Sequence, residues 1–176
     1  MMGIEAVIAE LALLIADGVI SGYAIGGAVA AFQYIEPGFT EDLDVFVVCR
    51  GAEASTLAPL GPLWAALVSR GYAVDNMYLV IGGWRVQFLL PASNLYDEAI
   101  AHARDIPFGH VVGKVMSPEY LAAIALDAGR NKDFVRVEEF LSRKVVDRAA
   151  LLALVERYGL AERWKTFETR FLGTNV

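Results

Sequence analysis

Residues 38–48 read GFTEDLDVFVV, placing two aspartates, Asp42 and Asp44, two positions apart at the head of an apolar run. Leu43, Val45, Phe46, Val47 and Val48 predict a buried β-strand, about Asp42 to Cys49. Side chains alternate across a strand, so both acids share one face with roughly 7 Å between them. At an effective dielectric near 20, two carboxylates at that distance repel by about 2 kcal/mol, and a bound cation would reverse the sign. At an exposed strand tip water reduces the repulsion to about 0.6 kcal/mol and no metal is required. The pair gains meaning only from its setting.

Immediately upstream, residues 23–32 read YAIGGAVAAF. A short strand, about Val19 to Ile25, is expected to turn at Gly26 and Gly27 into a small helix, Ala28 to Tyr34, ended by Pro37 and Gly38. Glycines after a strand let the backbone approach a ligand, and the following helix turns free N–H groups toward the same spot, which suits phosphate. The same pair also serves as a tight turn that needs only small residues. Further upstream, Ile4, Val7, Ile8, Leu11, Leu14 and Ile15 form one stripe of an amphipathic helix that ends at Gly18. With no basic n-region, that segment is expected to be a helix of the fold rather than a signal peptide. The uncharged stretch from Gly18 to Ile35 approaches membrane-spanning length, but Gly18, Gly22, Gly26 and Gly27 break it, so a soluble, cytoplasmic protein without a membrane span is expected.

Downstream, a linker with Pro59 and Pro62 leads to a helix, LWAALVSR, closed by Gly71. Residues 76–90, NMYLVIGGWRVQFLL, predict a hairpin turning at Gly82 and Gly83, with Ile81 facing Trp84 and Tyr78 facing Gln87. From Tyr96 onward the pattern is mainly helical, with one strand at His110 to Met116. SPEYLAAIALDAG, residues 117–129, has an N-cap serine, a proline in the first turn and a terminal glycine. DFVRVEEFLSR, VVDRAALLALVERYG and LAERWKTFETRFL predict three more helices. The 176 residues are expected to form a single domain, with a core of about 1–116 and a helical portion of about 117–176.

Fifteen basic against 21 acidic side chains, a formal charge of −6, exclude a broad nucleic-acid surface. The lone Cys49 excludes an internal disulfide, and with only His102 and His110 beside it no His/Cys metal cage is legible. A mean hydropathy of +0.46 leaves apolar surface for a second copy, as a homodimer, or for a protein partner to cover.

Taken in order, a strand, a Gly-Gly turn, a short helix, Thr40 and then Asp42-Leu43-Asp44-Val45 resemble the nucleotidyltransferase superfamily, especially its small bacterial members related to abortive-infection toxins. AGRNKDFVRVEEFL, residues 128–141, is similar to a helical segment of those proteins that commonly contains R-x-K-D. The resemblance spans about Ile4 to Leu172 in the order of elements. It implies an α/β fold, a small mixed β-sheet flanked by helices with a helical C-terminal portion. It also implies transfer of a nucleoside monophosphate from a magnesium-bound nucleoside triphosphate to a hydroxyl acceptor whose identity the sequence does not give. Asp42 and Asp44 would bind Mg2+, and Gly26, Gly27, Thr40, Arg130 and Lys132 would hold the nucleotide.

The departures are specific. Fourteen residues separate Gly27 from Asp42, slightly more than usual, and Gly38 and Ala125 stand where relatives often carry Arg and Lys. The third catalytic carboxylate belongs on the strand after the hairpin, where this chain has Gln87, which can exchange hydrogen bonds but cannot act as a base. The catalytic set would then be Asp42, Asp44 and Gln87. An alternative is a catalytically weakened homologue that binds nucleotide or a protein partner. Arg85, on the Gln87 face, would replace a phosphate cation or form a rim ion pair. Asp75 is expected far along the hairpin from Gln87, Tyr78 is a packing or hydrogen-bonding partner, and His110 is structural.

Overall fold

The computed structural model describes residues 2–50 and 58–173. In chain order the elements are α1 (Met2–Ala16), β1 (Ile20–Ile25), α2 (Gly27–Ala31), β2 (Asp42–Cys49), α3 (Gly61–Ser69), β3 (Ala73–Asp75), β4 (Tyr78–Ile81) and β5 (Trp84–Leu89). They continue with α4 (Asn94–Ala101), β6 (Arg104–Phe108), β7 (Val111–Val115), α5 (Pro118–Ala128), α6 (Asn131–Ser142), α7 (Arg148–Arg157), α8 (Ala161–Phe167) and a π-helical turn, Glu168–Leu172. The start of the linker expected before α3 lies outside the described residues.

The aspartate strand β2 is central in a seven-stranded mixed sheet of order β3-β4-β5-β2-β1-β7-β6. It runs antiparallel to β1, with Ile25 opposite Val45, and parallel to β5, with Asp42 opposite Arg85 and Asp44 opposite Gln87. Alternation sorts its side chains: Leu43, Val45 and Val47 are fully buried, while Asp42, Asp44 and Phe46 look to the other face and are half-buried. The buried face continues through Val86, Leu79 and Ile81, and α1 lies against this sheet through Ile4, Val7, Ile8, Leu11 and Leu14. On the aspartate face, the Phe46 ring meets Tyr96 of α4 with centroids 5.2 Å apart.

Several boundaries differ from expectation. The helix after the glycine pair begins at Gly27 and ends at Ala31, three residues short of Tyr34. Gly82 and Gly83 do make the hairpin turn, both with positive φ, and Ile81 faces Trp84; the ladder ends at Leu79–Val86, one step before Tyr78 and Gln87, while Tyr78 pairs with Asp75 on β3. Strand β6 interrupts the region expected to be helical: Arg104, Asp105 and Pro107 hide its period, and Pro107 is tolerated because β6 is the sheet's edge. The C-terminal helices are as expected, with α5 opened by Ser117 and Pro118 and closed by Gly129 at φ 66. Phe134, Trp164, Phe167 and Phe171 form the aromatic packing of this portion.

A buried acid ties α1 to the end of α3. Glu10, 5% exposed, is ion-paired with Arg70 and accepts a hydrogen bond from the Tyr72 hydroxyl at 2.7 Å. No described helix is long and apolar enough to cross a membrane.

Candidate active site

Asp42 stands at the first position of β2 with its two oxygens in different circumstances. Its Oδ2 accepts a hydrogen bond from the Tyr78 hydroxyl at 3.3 Å, whereas Oδ1 is buried without a hydrogen-bond partner among the described residues. The nearest cation is Arg85, whose Nη1 lies 3.9 Å from Oδ1. Arg85 is shared among acids, with Glu41 at 3.7 Å and Asp75 at 3.2 Å, and its guanidinium sits 4.2 Å above the Tyr78 ring. Asp75, expected to be remote, therefore reaches the rim of the site through Arg85. The reason is that β3, a strand not expected from the sequence, folds back beside β4.

Asp44 is held by the glycine turn. The Gly26 N–H donates to the Asp44 carbonyl at 2.9 Å, and Gly27, at φ +60, leaves the space into which the Asp44 carboxyl packs. A Cβ on Gly26 would meet the Phe46 ring at 2.6 Å. Both glycines are thus required by contacts within the protein. Burial, and then the charge of Asp42, push the Asp44 carboxyl above the ordinary aspartate range, opposed by the charges of Arg136, Lys132 and Arg130.

The remaining residues singled out from the sequence fall around this pair. Gln87 is the register neighbour of Asp44, on the same face of the sheet, and its amide nitrogen lies 3.4 Å from the Met77 sulfur. Thr40 donates its hydroxyl to the Asp42 carbonyl at 3.2 Å, closing the loop onto the strand. Arg130 caps α6 and grips the buried Asp133 with two nitrogens, at 2.5 and 3.1 Å. Lys132 is exposed on the first turn of that helix. Arg136 went unread in the sequence, although its place four residues after Lys132, one helical turn on the same side, was a usable signal.

A hollow of about 420 Å³ is lined by Phe39, Thr40, Glu41, Gly83, Trp84 and Arg85, between the loop that leads into β2 and the start of β5. A larger one, about 640 Å³, lies among α4, α5 and α7, where Glu98, Arg104, Glu119 and Arg157 are already engaged in ion pairs. Among the described residues no group of three or more His, Cys, Asp or Glu side chains is placed to hold a metal. The charged oxygen donors at the head of β2 are the carboxylates of Asp42 and Asp44. His110 lies apart, its backbone N–H donating to Glu5 at 3.1 Å.

No family model matches the sequence, and no curated protein matches it. Among solved structures, the chain is similar to an antigenic nucleotidyltransferase-like protein from Paracoccidioides brasiliensis, at 16% identity and a TM-score of 0.54, over 90% of each chain. It is also matched to the antibiotic-resistance factor ANT(2'')-Ia at 15% identity and a TM-score of 0.48, over 96% of this chain and 97% of that one. With strand, glycine turn and aspartate strand in the order described, the chain has the nucleotidyltransferase-type fold.

Proposed function

We propose that the protein transfers a nucleoside monophosphate from a magnesium-bound nucleoside triphosphate to a hydroxyl acceptor. The observation that carries the reading is the pairing of Asp42 and Asp44 on one face of β2, with a buried Asp42 oxygen, Oδ1, that has no hydrogen-bond partner among the described residues. Two oxygen donors that repel each other fit a hard cation, and magnesium is commonly held by one or two carboxylates together with water and substrate phosphates rather than by an all-protein cage. Asp42 and Asp44 would hold it. Bound there, magnesium would supply charge stabilisation for the attacking and leaving oxygens of an in-line displacement.

The chain's own residues divide the remaining work. Tyr78 orients Asp42, and Gly27 sets the position of Asp44. Gly26 and Gly27 would bring backbone close to the phosphates, Thr40 would fix the loop beside them, and Arg130 and Lys132 would offset their charge. Nucleoside triphosphate as donor and a free Cys49 suit a cytoplasmic setting.

A second reading, a nucleotide-binding protein with little turnover, is favoured by one observation: beside Asp44 stands Gln87, whose neutral amide cannot accept the acceptor's proton. Pyrophosphate release from magnesium and each nucleoside triphosphate, with candidate hydroxyl acceptors present, tests the proposal. Release that is lost in Asp42→Asn and Asp44→Asn supports transfer. Magnesium-dependent binding without release selects the second reading, and neither binding nor release removes both.

A further inference from the structure

Four neighbouring strands, β3, β4, β5 and β2, each place one side chain on the face of the sheet that carries the acid pair. Asp75 of β3 lies opposite Tyr78 of β4, and Arg85 of β5 lies opposite Val80 of β4 on one side and Asp42 of β2 on the other. Residues directly opposite share a face, and Tyr78 and Arg85 are diagonal neighbours, a separation that aromatic and long side chains span. The register alone therefore sets Asp75, Tyr78, Arg85 and Asp42 side by side.

Contacts link them in turn. The Arg85 guanidinium lies on the Tyr78 ring, 4.2 Å from its centre, and its Nε is 3.2 Å from Asp75 Oδ2. Tyr78 donates its hydroxyl to Asp42 Oδ2 at 3.3 Å. Arg85 Nη1, by contrast, stands 3.9 Å from Asp42 Oδ1, beyond hydrogen-bond reach, and 3.7 Å from Glu41. One Asp42 oxygen is thus held, while the other is buried without a hydrogen-bond partner among the described residues. The carboxylate closest to Arg85 is that of Asp75, and its flat face rests on Tyr78. Of the two roles read for Arg85 in the sequence, phosphate cation or rim ion pair, this arrangement supports the second and adds to it.

We propose that Arg85, anchored by Asp75, is a positioning residue for the cation site. It fixes the Tyr78 ring, so that Tyr78 holds Asp42 Oδ2 and leaves Oδ1 as the oxygen that meets the cation. Groups that orient a metal-ligating side chain are typically worth about 10- to 100-fold in metal affinity. The inference rests on the nucleotidyl-transfer reading for the presence of a cation.

Position and charge predict opposite signs at Arg85. A positive charge beside Asp42 repels a divalent cation, so if Arg85 contributed only charge, Arg85→Gln would bind the cation more tightly. If it only steadied the sheet as a rim ion pair, affinity would not fall. A positioning role predicts weaker binding even though a repelling charge has gone.

Manganese is the probe, its binding to the full chain followed by water-proton relaxation, alone and with ATP, in wild type, Tyr78→Phe, Arg85→Gln and the double variant. Each single variant is expected to bind manganese about tenfold more weakly than wild type. The double variant is expected to lose no more than about tenfold, because both substitutions break one chain of contacts, whereas independent roles would multiply to about a hundredfold. Should Arg85→Gln fail to fold, Asp75→Asn, which keeps the guanidinium and removes its anchor, takes its place with the same expectation.

Manganese binding by Arg85→Gln, or by Asp75→Asn in its place, as tight as wild type or tighter overturns the inference and leaves the transfer reading standing. So does unchanged binding by Tyr78→Phe, or a loss of about a hundredfold in the double variant. Wild type that binds manganese neither alone nor with ATP overturns both.

Discussion

Gly27 and Asp44 compete for one space: a Cβ on Gly27 would lie 2.0 Å from Asp44 Oδ2. The glycine pair that resembled a phosphate turn in the sequence is thus also the seat of the second aspartate. Gly27→Ala is expected to destabilise the protein by about 1 to 3 kcal/mol, through positive φ together with the displaced carboxyl. In an Asp44→Ala background the contact is gone and only the backbone term remains, so the same substitution should cost less. Urea denaturation of the four proteins of this cycle measures the difference, and equal costs in both backgrounds would show that the two residues do not interact.

The fold was legible where periods were clean. Alternation in β2, the Gly82-Gly83 turn and the Ser117-Pro118 start of α5 each had a local physical cause, and each stands where the sequence placed it. Strand β6 was not legible, because Arg104, Asp105 and Pro107 give an edge strand no apolar alternation to read. Of the candidate site, the shared face of Asp42 and Asp44 and the position of Gln87 beside them were legible. What remained hidden was pairing: that Asp75 meets Arg85, and that Arg130 is committed to Asp133 while Arg136 has no ion-pair partner among the described residues. Those outcomes depend on which charges find each other in space, and helical spacing names the candidates without choosing among them.

Asp44 makes stability depend on pH with a definite sign. Its folded-state carboxyl is raised above the ordinary aspartate range by burial first and by Asp42 second. The folded protein therefore holds this proton more tightly than the unfolded chain does. The resulting stability is present below the ordinary aspartate range and is lost as pH rises through the raised value. Asp44→Asn should accordingly melt higher than wild type at neutral pH without magnesium, with a gain that shrinks as pH falls toward about 4. Added magnesium should raise the melting temperature of wild type and not of the variant. A variant that melts lower than wild type throughout would show that Asp44 is held as a stabilising anion.

Glu10 offers a test away from the site. It is buried, and its charge is met by Arg70 and the Tyr72 hydroxyl. Arg70→Met should cost about 3 kcal/mol, because breaking such a pair strands a buried carboxylate. Adding Glu10→Leu should recover much of that loss, since replacing both partners leaves no uncompensated charge. Chemical denaturation of the single and double variants reads both effects; a double variant as unstable as Arg70→Met alone would mean that Arg70 acts through packing.

Gln87 is where transfer and mere binding part. Its register neighbour across parallel strands is Asp44, and the two side chains leave the sheet on the same face, so an acid at position 87 would stand beside the acid pair. The present amide is near the Met77 sulfur, a weak acceptor whose loss costs little. Gln87→Asp would add a group able to take the acceptor's proton and a third oxygen toward the cation. The shorter side chain gives up one methylene of reach. Positioned proton transfer is typically worth about 100- to 10,000-fold, so pyrophosphate release should rise at least about tenfold in the variant despite imperfect placement. The added charge also raises the repulsion within the acid cluster, so Gln87→Asp should be less stable than wild type without magnesium and should regain that loss when magnesium is added. Robust release by the natural protein, unchanged or reduced in Gln87→Asp, would place the proton acceptor elsewhere and remove Gln87 from the catalytic set.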